Sequence, residues 1–324
     1  MRSLWPDASF YFFVPSYVAS ILHSYGKSVT TLSYEKRKHH DSLGVKCYVT
    51  ALKFTQLWKL RSKRVDIFFF LGDGSSDYAR QLRAVVKPKK FVSFSSHPSA
   101  EQLDLGSDTI LVCSPARGNV PEFIRLQDIL TPFGAPASMP KVPLLSIARH
   151  GQDDVRGLHN LQVGCSLGIH LSARRLRQRW PMEYFALLLE ALKAKYAPLQ
   201  VLVTWSPGNS EDLKHPGDDE MAEQLRLRVD GLDSVHFLRT GTLAELLSIQ
   251  SLCKVILCSD GGAMHTAAAL GVKVVAMYGD SDPIRWAPVG VGHRIIVGDD
   301  KNVGNISVER VLTEIQLALA DDRP

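Results

Sequence analysis

Short apolar segments alternate with amphipathic segments along most of the chain, and this alternation restricts the possible folds most strongly. Val65–Leu71 is an apolar run of strand length, and Asp77–Val86 is the amphipathic helix that we predict after it. Short buried strands alternating with helices are typical of parallel sheets that are covered by helices on both faces. We therefore predict an α/β protein built from Rossmann-like, doubly wound sheets.

The alternation is interrupted once, near the middle of the chain. Prolines cluster there, at positions 132, 136, 140 and 143, among glycine, serine and charged residues, which is typical of an interdomain linker. We predict a first Rossmann-like domain over residues 1–135, a linker over 136–163 and a second Rossmann-like domain over 164–324. The two domains are expected to face a cleft. The last helix, capped by Ser307, either stays with the second domain or packs back on the first.

The composition is that of an ordinary globular protein. The chain has 324 residues, of which 45% are hydrophobic and 22% charged, with a net charge of +5. The five cysteines show no CxxC spacing, and an odd number argues against a disulfide framework. No apolar run is long enough to span a membrane, no signal pattern opens the chain, and no nucleic-acid recognition motif is present. These features predict a cytoplasmic protein that does not bind nucleic acid.

The segment from Lys254 to Pro288 contains the densest candidate chemistry. A predicted buried strand ends at Ser259-Asp260, Gly261-Gly262 follow, and a short helix then begins. Glycines let the backbone approach a ligand, and a helix N-terminus offers N–H groups with partial positive charge, so this turn suits an anion. Taken alone, Asp260 is also consistent with a helix N-cap and His265 with a histidine bonded to the backbone.

The string SDGGAMHTAAALGVKVVAMYGDSDPIRWAP, over residues 259–288, resembles the signature of the heptosyltransferase family, glycosyltransferase family 9. That family shows acid, Thr/Ser, Gly, two variable residues, His, one variable residue and Ala-Ala-Ala-Leu-Gly, then an apolar strand and Gly-x-Thr-x-Pro. The matching residues are Asp260, Gly262, His265, Ala267, Ala268, Ala269, Leu270, Gly271, Gly279 and Pro283. Gly261 replaces the usual hydroxyl residue, and Ser281 replaces the usual threonine. The resemblance implies two Rossmann-like domains of GT-B type.

A basic segment forms the second candidate element. Arg174, Arg175, Arg177 and Arg179 follow the predicted strand Val163–Leu171 and precede Trp180-Pro181. Four arginines in a strand-to-helix loop either bind a diphosphate or form a solvated basic turn. The family carries a basic residue two positions before its Trp-Pro pair, and this chain has Gln178 there. The resemblance therefore implies that Arg177 or Arg179 supplies the missing charge.

The amino-terminal half resembles the family's acceptor domain loosely, over residues 4–135. The family has a first strand and a Gly-Asp loop whose aspartate is the proposed catalytic base, and this sequence starts too late to contain them. We hypothesise that the chain as given is truncated, so the catalytic residue is unknown and the family base is expected before Met1. Asp73 and Asp77 follow a predicted strand and can be considered as replacements for this base, but a turn with a helix cap is the preferred interpretation of both.

These observations predict a glycosyltransferase that moves heptose from ADP-heptose, or a similar nucleotide sugar, to a lipopolysaccharide inner-core acceptor. The alternative is a catalytically impaired or non-catalytic sugar-nucleotide-binding relative. We expect no cofactor and no metal, and peripheral contact with the inner face of the inner membrane is compatible with such an acceptor. The predicted donor-binding residues are Ser172, Arg177, Gln178, Arg179, Asp260, Gly261, Gly262, Ala263, Met264 and His265.

Overall fold

The computed structural model describes residues 1, 4–22, 29–35, 42–95, 108–113, 120–134, 145, 166–196, 199–212 and 216–321. The chain forms two compact units, Met1–Met139 and Pro140–Pro324. Of the predicted linker over 136–163, only Leu145 is described; it is buried, and its N–H donates to the Ala269 carbonyl at 2.8 Å. The boundaries at 135/136 and 163/164 stay predictions.

The first unit alternates strands and helices as the sequence predicts. Its elements are β1 (Phe10–Pro15), α1 (Ser16–Leu22), β2 (Val29–Tyr34), α2 (Leu43–Ser62), β3 (Ile67–Asp73), α3 (Asp77–Val86), β4 (Lys90–Ser95), β5 (Thr109–Cys113) and α4 (Glu122–Gln127). A 3-10 helix over Asp128–Phe133 continues α4. The helix changes type here because Pro132 has no N–H to donate to the carbonyl four residues earlier.

All strand pairs described in the first unit are parallel, and they form two sheets. One sheet contains β1 and β2, and the other has the order β3-β4-β5. Both sheets contribute to one apolar cluster, in which Tyr11 and Phe13 of β1 pack with Leu57 of α2, Leu82 of α3 and Phe91 of β4. Within the described residues β1 and β3 are not hydrogen-bonded to each other, so the two sheets are joined through side chains.

The second unit contains a single larger sheet. Its elements are β6 (Ser166–His170), α5 (Met182–Tyr196), β7 (Gln200–Trp205), α6 (Asp219–Arg228), β8 (Val235–Arg239), α7 (Leu243–Gln250), β9 (Val255–Ser259), α8 (Gly262–Ala269), β10 (Lys273–Tyr278), α9 (Pro283–Trp286), β11 (His293–Val297) and α10 (Val308–Ala320). The six strands are all parallel and have the order β11-β10-β9-β6-β7-β8.

Helices cover both faces of this sheet, which confirms the predicted α/β class with parallel sheets. Leu188 of α5, Leu225 of α6 and Val311 of α10 pack in one apolar cluster. Ile249 of α7 and Met264 of α8 pack in a second cluster with other strand residues. Ser307 caps α10, accepting a hydrogen bond from the Arg310 N–H, as the sequence predicts.

Candidate functional site

The candidate site lies where the strand order of the second unit reverses. The chain runs outward from β6 through β7 to β8 and then returns to place β9 on the other side of β6. The carboxyl ends of strands on either side of such a reversal diverge and form a crevice, which is the usual ligand position in open α/β sheets. Ser172 to Arg179 follow β6 and Asp260 follows β9, so the two predicted donor-binding segments meet at this point.

Gln178 joins the loops after three strands. Its side chain is 5% exposed, and its amide Nε2 donates to Asp260 Oδ2 at 3.3 Å and to Ser281 Oγ at 3.1 Å. Ser281 follows β10 in the loop that the family resemblance had singled out. Because the amide orients one carboxylate oxygen of Asp260, the other oxygen can accept a hydrogen bond from a ligand.

The loop around Gln178 is also held by close backbone contact. A Cβ placed on Gly279 would lie 2.3 Å from the carbonyl oxygen of Arg177, so only glycine permits this approach. The Arg177 guanidinium donates to the Asp300 carbonyl at 3.0 Å. Arg177 is exposed. Its backbone contact with Gly279 holds the Gln178 loop against the loop after β10, and its bond to Asp300 holds the Gln178 loop against the residues after β11.

The arginines that follow β6 have different environments. Arg179 Nη1 pairs with Asp218 Oδ1 at 2.9 Å, and Asp218 is 2% exposed, so this arginine is committed to a buried ion pair. Arg175 lies 3.5 Å from Asp280 in an exposed pair, and Arg174 is exposed. An exposed pair contributes little to stability, so Arg174 and Arg175 can turn to an anionic ligand at small cost.

Helix α8 places its N-terminus beside Asp260. Gly261 occupies the N-cap position, so the helix has no capping side chain, and its first N–H groups are available to an anion. Asp260 is therefore not the N-cap, which was the alternative interpretation. The side chains of Ala263 and Met264 are buried in the core, so these two residues can contribute only their backbone N–H groups.

His265 lies in the first part of α8 with its side chain exposed. Its ring packs edge-on to the Trp286 ring with centroids 6.3 Å apart. Desolvation lowers the pKa of His265 from 6.5, and the nearby Asp260 carboxylate partly offsets that shift. Trp286 is itself placed by Tyr278, whose hydroxyl donates to the Trp286 carbonyl at 2.9 Å. The histidine is thus mainly neutral at neutral pH and available as a hydrogen-bonding group.

The loop after β7 is fixed by residues that the sequence analysis did not identify. Asp219 accepts hydrogen bonds from the Trp205 indole at 2.8 Å, the Gly208 N–H at 2.9 Å and the Arg239 guanidinium at 3.0 and 3.1 Å. The bonds from Arg239 and Trp205 hold the pKa of Asp219 well below its usual range. Ser172 Oγ accepts from the Ser206 N–H at 2.8 Å, which attaches this loop to the end of β6.

The only sequence signal for these fixing residues was an acidic pair, Asp218-Asp219, at a predicted helix start. Such a pair indicates a helix cap. It does not indicate that Asp218 pairs with Arg179 and that Asp219 accepts a hydrogen bond from Trp205. Asp73, considered as a replacement base, accepts hydrogen bonds from the Ser75 N–H and hydroxyl, and Asp77 pairs with Arg80. Asp73 therefore stabilises a turn, and Asp77 forms an ion pair within the first turn of α3.

Over the part of the chain that the structure describes, no group of three or more His, Cys, Asp and Glu side chains could hold a metal ion.

Residues 132–314, more than half of the chain, match the family model of glycosyltransferase family 9 (heptosyltransferase). The chain belongs to glycosyltransferase family 9. This family member is therefore a glycosyltransferase, and the predicted family is confirmed.

Solved structures agree with this assignment at the level of fold. The family 9 member is similar to ADP-heptose lipopolysaccharide heptosyltransferase II of E. coli, with a TM-score of 0.71, 18% identity and coverage of 98% of this chain and 91% of that one. The family 9 glycosyltransferase of Veillonella parvula gives a TM-score of 0.75, 15% identity and coverage of 98% and 90%. The E. coli heptosyltransferase WaaC with ADP gives a TM-score of 0.68, 16% identity and coverage of 98% of this chain and 92% of that one. The same enzyme is also solved with ADP-2-deoxy-2-fluoro heptose.

Comparison with curated protein sequences gives no match. The solved structures share less than a fifth of their residues with this chain, so they support the GT-B type fold and leave the substrates open. No helix in the described parts of the chain combines the length and hydropathy needed to cross a membrane.

Proposed function

We propose that this family 9 member transfers heptose from ADP-heptose to a hydroxyl of the lipopolysaccharide inner core. The observation that carries the proposal is the junction of Gln178, Asp260 and Ser281 beside the N-terminus of α8. It combines a carboxylate able to orient sugar hydroxyls with backbone N–H groups able to hold a diphosphate. Crystals of WaaC with ADP and with a fluorinated ADP-heptose support a donor of this class for a related enzyme.

The proposed reaction is a substitution at the anomeric carbon. The acceptor hydroxyl attacks this carbon and its proton passes to solvent, while the bond to the diphosphate oxygen breaks and ADP leaves with the bonding electron pair. Negative charge grows on the diphosphate, where N–H groups from Gly261 to Met264 and the side chain of His265 stabilise it. Arg174 and Arg175 add positive charge, while Arg177, Arg179 and Ser172 keep the surrounding loops in place.

The proposal is tested with purified protein, ADP-heptose and a heptose-deficient core lipid. We expect release of ADP together with a mass increase of one heptose on the lipid. The variant Asp260→Asn should lower kcat/KM on the order of a hundredfold, because a carboxylate contact to the sugar is lost. Asp230→Asn, an exposed position in the same unit, is the matched control.

Three outcomes are informative. Binding of ADP-heptose by calorimetry without transfer to any core lipid would favour the non-catalytic sugar-nucleotide-binding alternative. Binding and transfer of another nucleotide sugar in preference to ADP-heptose would reassign the donor. Absence of both binding and transfer in folded protein would remove the proposed function.

A lipid acceptor also leads us to propose that the protein acts in the cytoplasm, at the inner face of the inner membrane. The support comes from helix α2, which contains no acidic residue and whose basic residues include Lys46, Lys59 and Arg61. Large apolar side chains on the same helix are exposed, namely Leu43, Tyr48, Leu52, Phe54 and Trp58. Exposed aromatic side chains on a helix whose charged residues are all basic suit an anionic bilayer surface.

Vesicle flotation tests this location. We expect binding to phosphatidylcholine vesicles only when phosphatidylglycerol is included, and weaker binding when Tyr48 and Trp58 are both changed to Ser. Leu227→Ser, at an exposed apolar position of α6, is the control. Equal binding by the double variant and the unchanged protein would contradict a role for α2.

A further inference from the structure

The first unit contains a cavity that is lined by none of the residues of the proposed donor site. Its volume is about 490 Å³, within the range of small-molecule sites, which run from roughly 300 to 1,000 Å³. It is bounded by α2, α3 and the end of β2. Tyr34 is the last residue of β2, and Tyr78 lies in the first turn of α3, the helix that follows β3. The cavity therefore opens at the carboxyl ends of parallel strands, the edge of an α/β sheet that most often binds ligands.

Lys53 of α2 provides the positive charge of this cavity. Its ammonium lies 4.8 Å from the centroid of the Tyr34 ring and 4.4 Å from that of the Tyr78 ring. Both distances are those of a cation–π contact, which positions the ammonium without neutralising it. Within the described residues the structure shows no ion pair to Lys53. Partial burial lowers the pKa of Lys53, so the charged amine lacks part of its hydration.

The two tyrosine rings are themselves held in place. Tyr34 stacks on Phe13 of β1 with centroids 4.6 Å apart, and Tyr78 packs edge-on to Phe70 of β3 at 5.9 Å. Burial raises the pKa of Tyr78, and the interaction of its side chain with Tyr34 partly offsets that rise. The polar end of the cavity is therefore organised by three elements, and an incoming ligand does not have to order it.

The rest of the lining selects the size and charge of the ligand. The walls are mostly apolar, with Val49, Leu57 and Leu82 among them, and they suit the body of a ring-sized molecule. Glu35 lies exposed at the rim of the cavity. Among the lining residues that the structure describes, Lys53 is the single cation, so a ligand with one anionic group matches the cavity better than a phosphate dianion.

We propose that this cavity binds a ring-bearing monocarboxylate, with the carboxylate on the Lys53 ammonium and the ring between Tyr78 and the apolar wall. A charge-assisted hydrogen bond to the ammonium supplies most of the selectivity. The ring is either that of a sugar acid or an apolar one, and the two share the recognised group. The site is separate from the donor-binding residues and does not depend on the proposed transfer reaction.

Calorimetry with the full chain tests the proposal, with D-glucuronate and benzoate as the two carboxylate probes. We expect at least one of them to bind, and benzamide and glucose 6-phosphate to bind at least about tenfold more weakly than that probe. Lys53→Met keeps the length and apolar stem of the side chain and should weaken carboxylate binding by roughly tenfold or more. Lys59→Met, at an exposed position of the same helix, should leave it unchanged.

Two further measurements keep the result decisive. If Lys53→Met fails to fold, the lysines of the unchanged protein are reductively methylated with ¹³C-formaldehyde, and one methyl resonance should move with a carboxylate probe and stay in place with benzamide. ADP-heptose binding should be the same in Lys53→Met and the unchanged protein, which separates this site from the donor site. The proposal is overturned if neither carboxylate binds, if glucose 6-phosphate binds more tightly than both, or if folded Lys53→Met retains full affinity.

Discussion

At the scale of single residues, Gln178 is the side chain that joins the loops of the proposed donor site. It replaces a basic residue of the family signature with a neutral amide that donates to Asp260 and Ser281. We expect Gln178→Leu to weaken ADP-heptose binding by roughly tenfold, because about 1–2 kcal/mol of hydrogen bonding is lost and Asp260 is no longer oriented. Binding of ADP alone should change less, since Asp260 is proposed to contact the sugar.

Two comparison variants sharpen this prediction. Gln178→Lys restores donors and adds a charge, so it should keep ADP-heptose affinity at or above the original value. Gln224→Leu changes an exposed glutamine on α6 and should have no effect on either ligand. Titration calorimetry provides all of the values, and an equal loss for ADP and ADP-heptose in Gln178→Leu would argue against orientation of Asp260.

His170 makes a second prediction at this scale, on the pH dependence of stability. It is buried in β6 with Nδ1 3.0 Å from Thr204 Oγ1, and burial lowers its pKa to about 4. Above pH 6.5 the residue is neutral in both the folded and the unfolded chain, so it has no effect on stability. As the pH falls from 6.5 to about 4, only the unfolded chain takes up the proton, and the free energy of unfolding decreases by roughly 3 kcal/mol.

Urea unfolding between pH 7 and pH 4 measures this decrease. Carboxylates also titrate in that range, so the informative quantity is the difference from His170→Gln, which should show a shallower loss of stability. His293→Gln, at an exposed position of β11, should keep the original slope. If His170→Gln and the unchanged protein show parallel pH curves, the burial of His170 does not control this dependence.

At the scale of elements, the sequence predicted the strands and helices well and their connections poorly. A strand or a helix leaves a pattern of apolar residues within a short stretch of sequence, and this pattern can be recognised directly. The strand-like run Val65–Leu71 and the amphipathic helix Asp77–Val86 are examples. The bond from Gln178 to Ser281 joins residues 103 positions apart, and neither loop shows its partner in its own sequence. Resemblance to the family supplied part of this information, because it placed both loops at the donor.

The contact between the loops after β6 and β10 makes a prediction about Gly279. An alanine Cβ there would lie 2.3 Å from the Arg177 carbonyl, a backbone atom that cannot rotate away. We expect Gly279→Ala to separate the two loops, with a loss of roughly 1–3 kcal/mol in the free energy of unfolding and weaker ADP binding. Gly44→Ala, in helix α2, meets only the Ser42 hydroxyl at 3.8 Å and should leave ADP binding unchanged. Full ADP affinity in Gly279→Ala would show that the site tolerates the separated loops.

At the scale of the whole molecule, the residues of the proposed donor site lie in one of the two units. Ser172, Gln178, Asp260 and Ser281 all belong to the unit Pro140–Pro324. The two apolar clusters of this unit draw their residues from positions between Leu167 and Leu319. Neither cluster contains a residue of the first unit, so the second unit has a complete core of its own.

This division predicts that residues 140–324 fold as an isolated fragment and keep the donor site. The six parallel strands and both covering helix layers are retained, and so is the bond between Leu145 and Ala269. We expect a cooperative thermal transition by circular dichroism and ADP affinity within about threefold of the full chain, since less than about 1 kcal/mol of binding energy should be lost. Heptose transfer should be absent, because the first unit contains the residues that resemble the family's acceptor domain. A folded fragment that binds ADP far more weakly than the full chain would show that the first unit completes the nucleotide site.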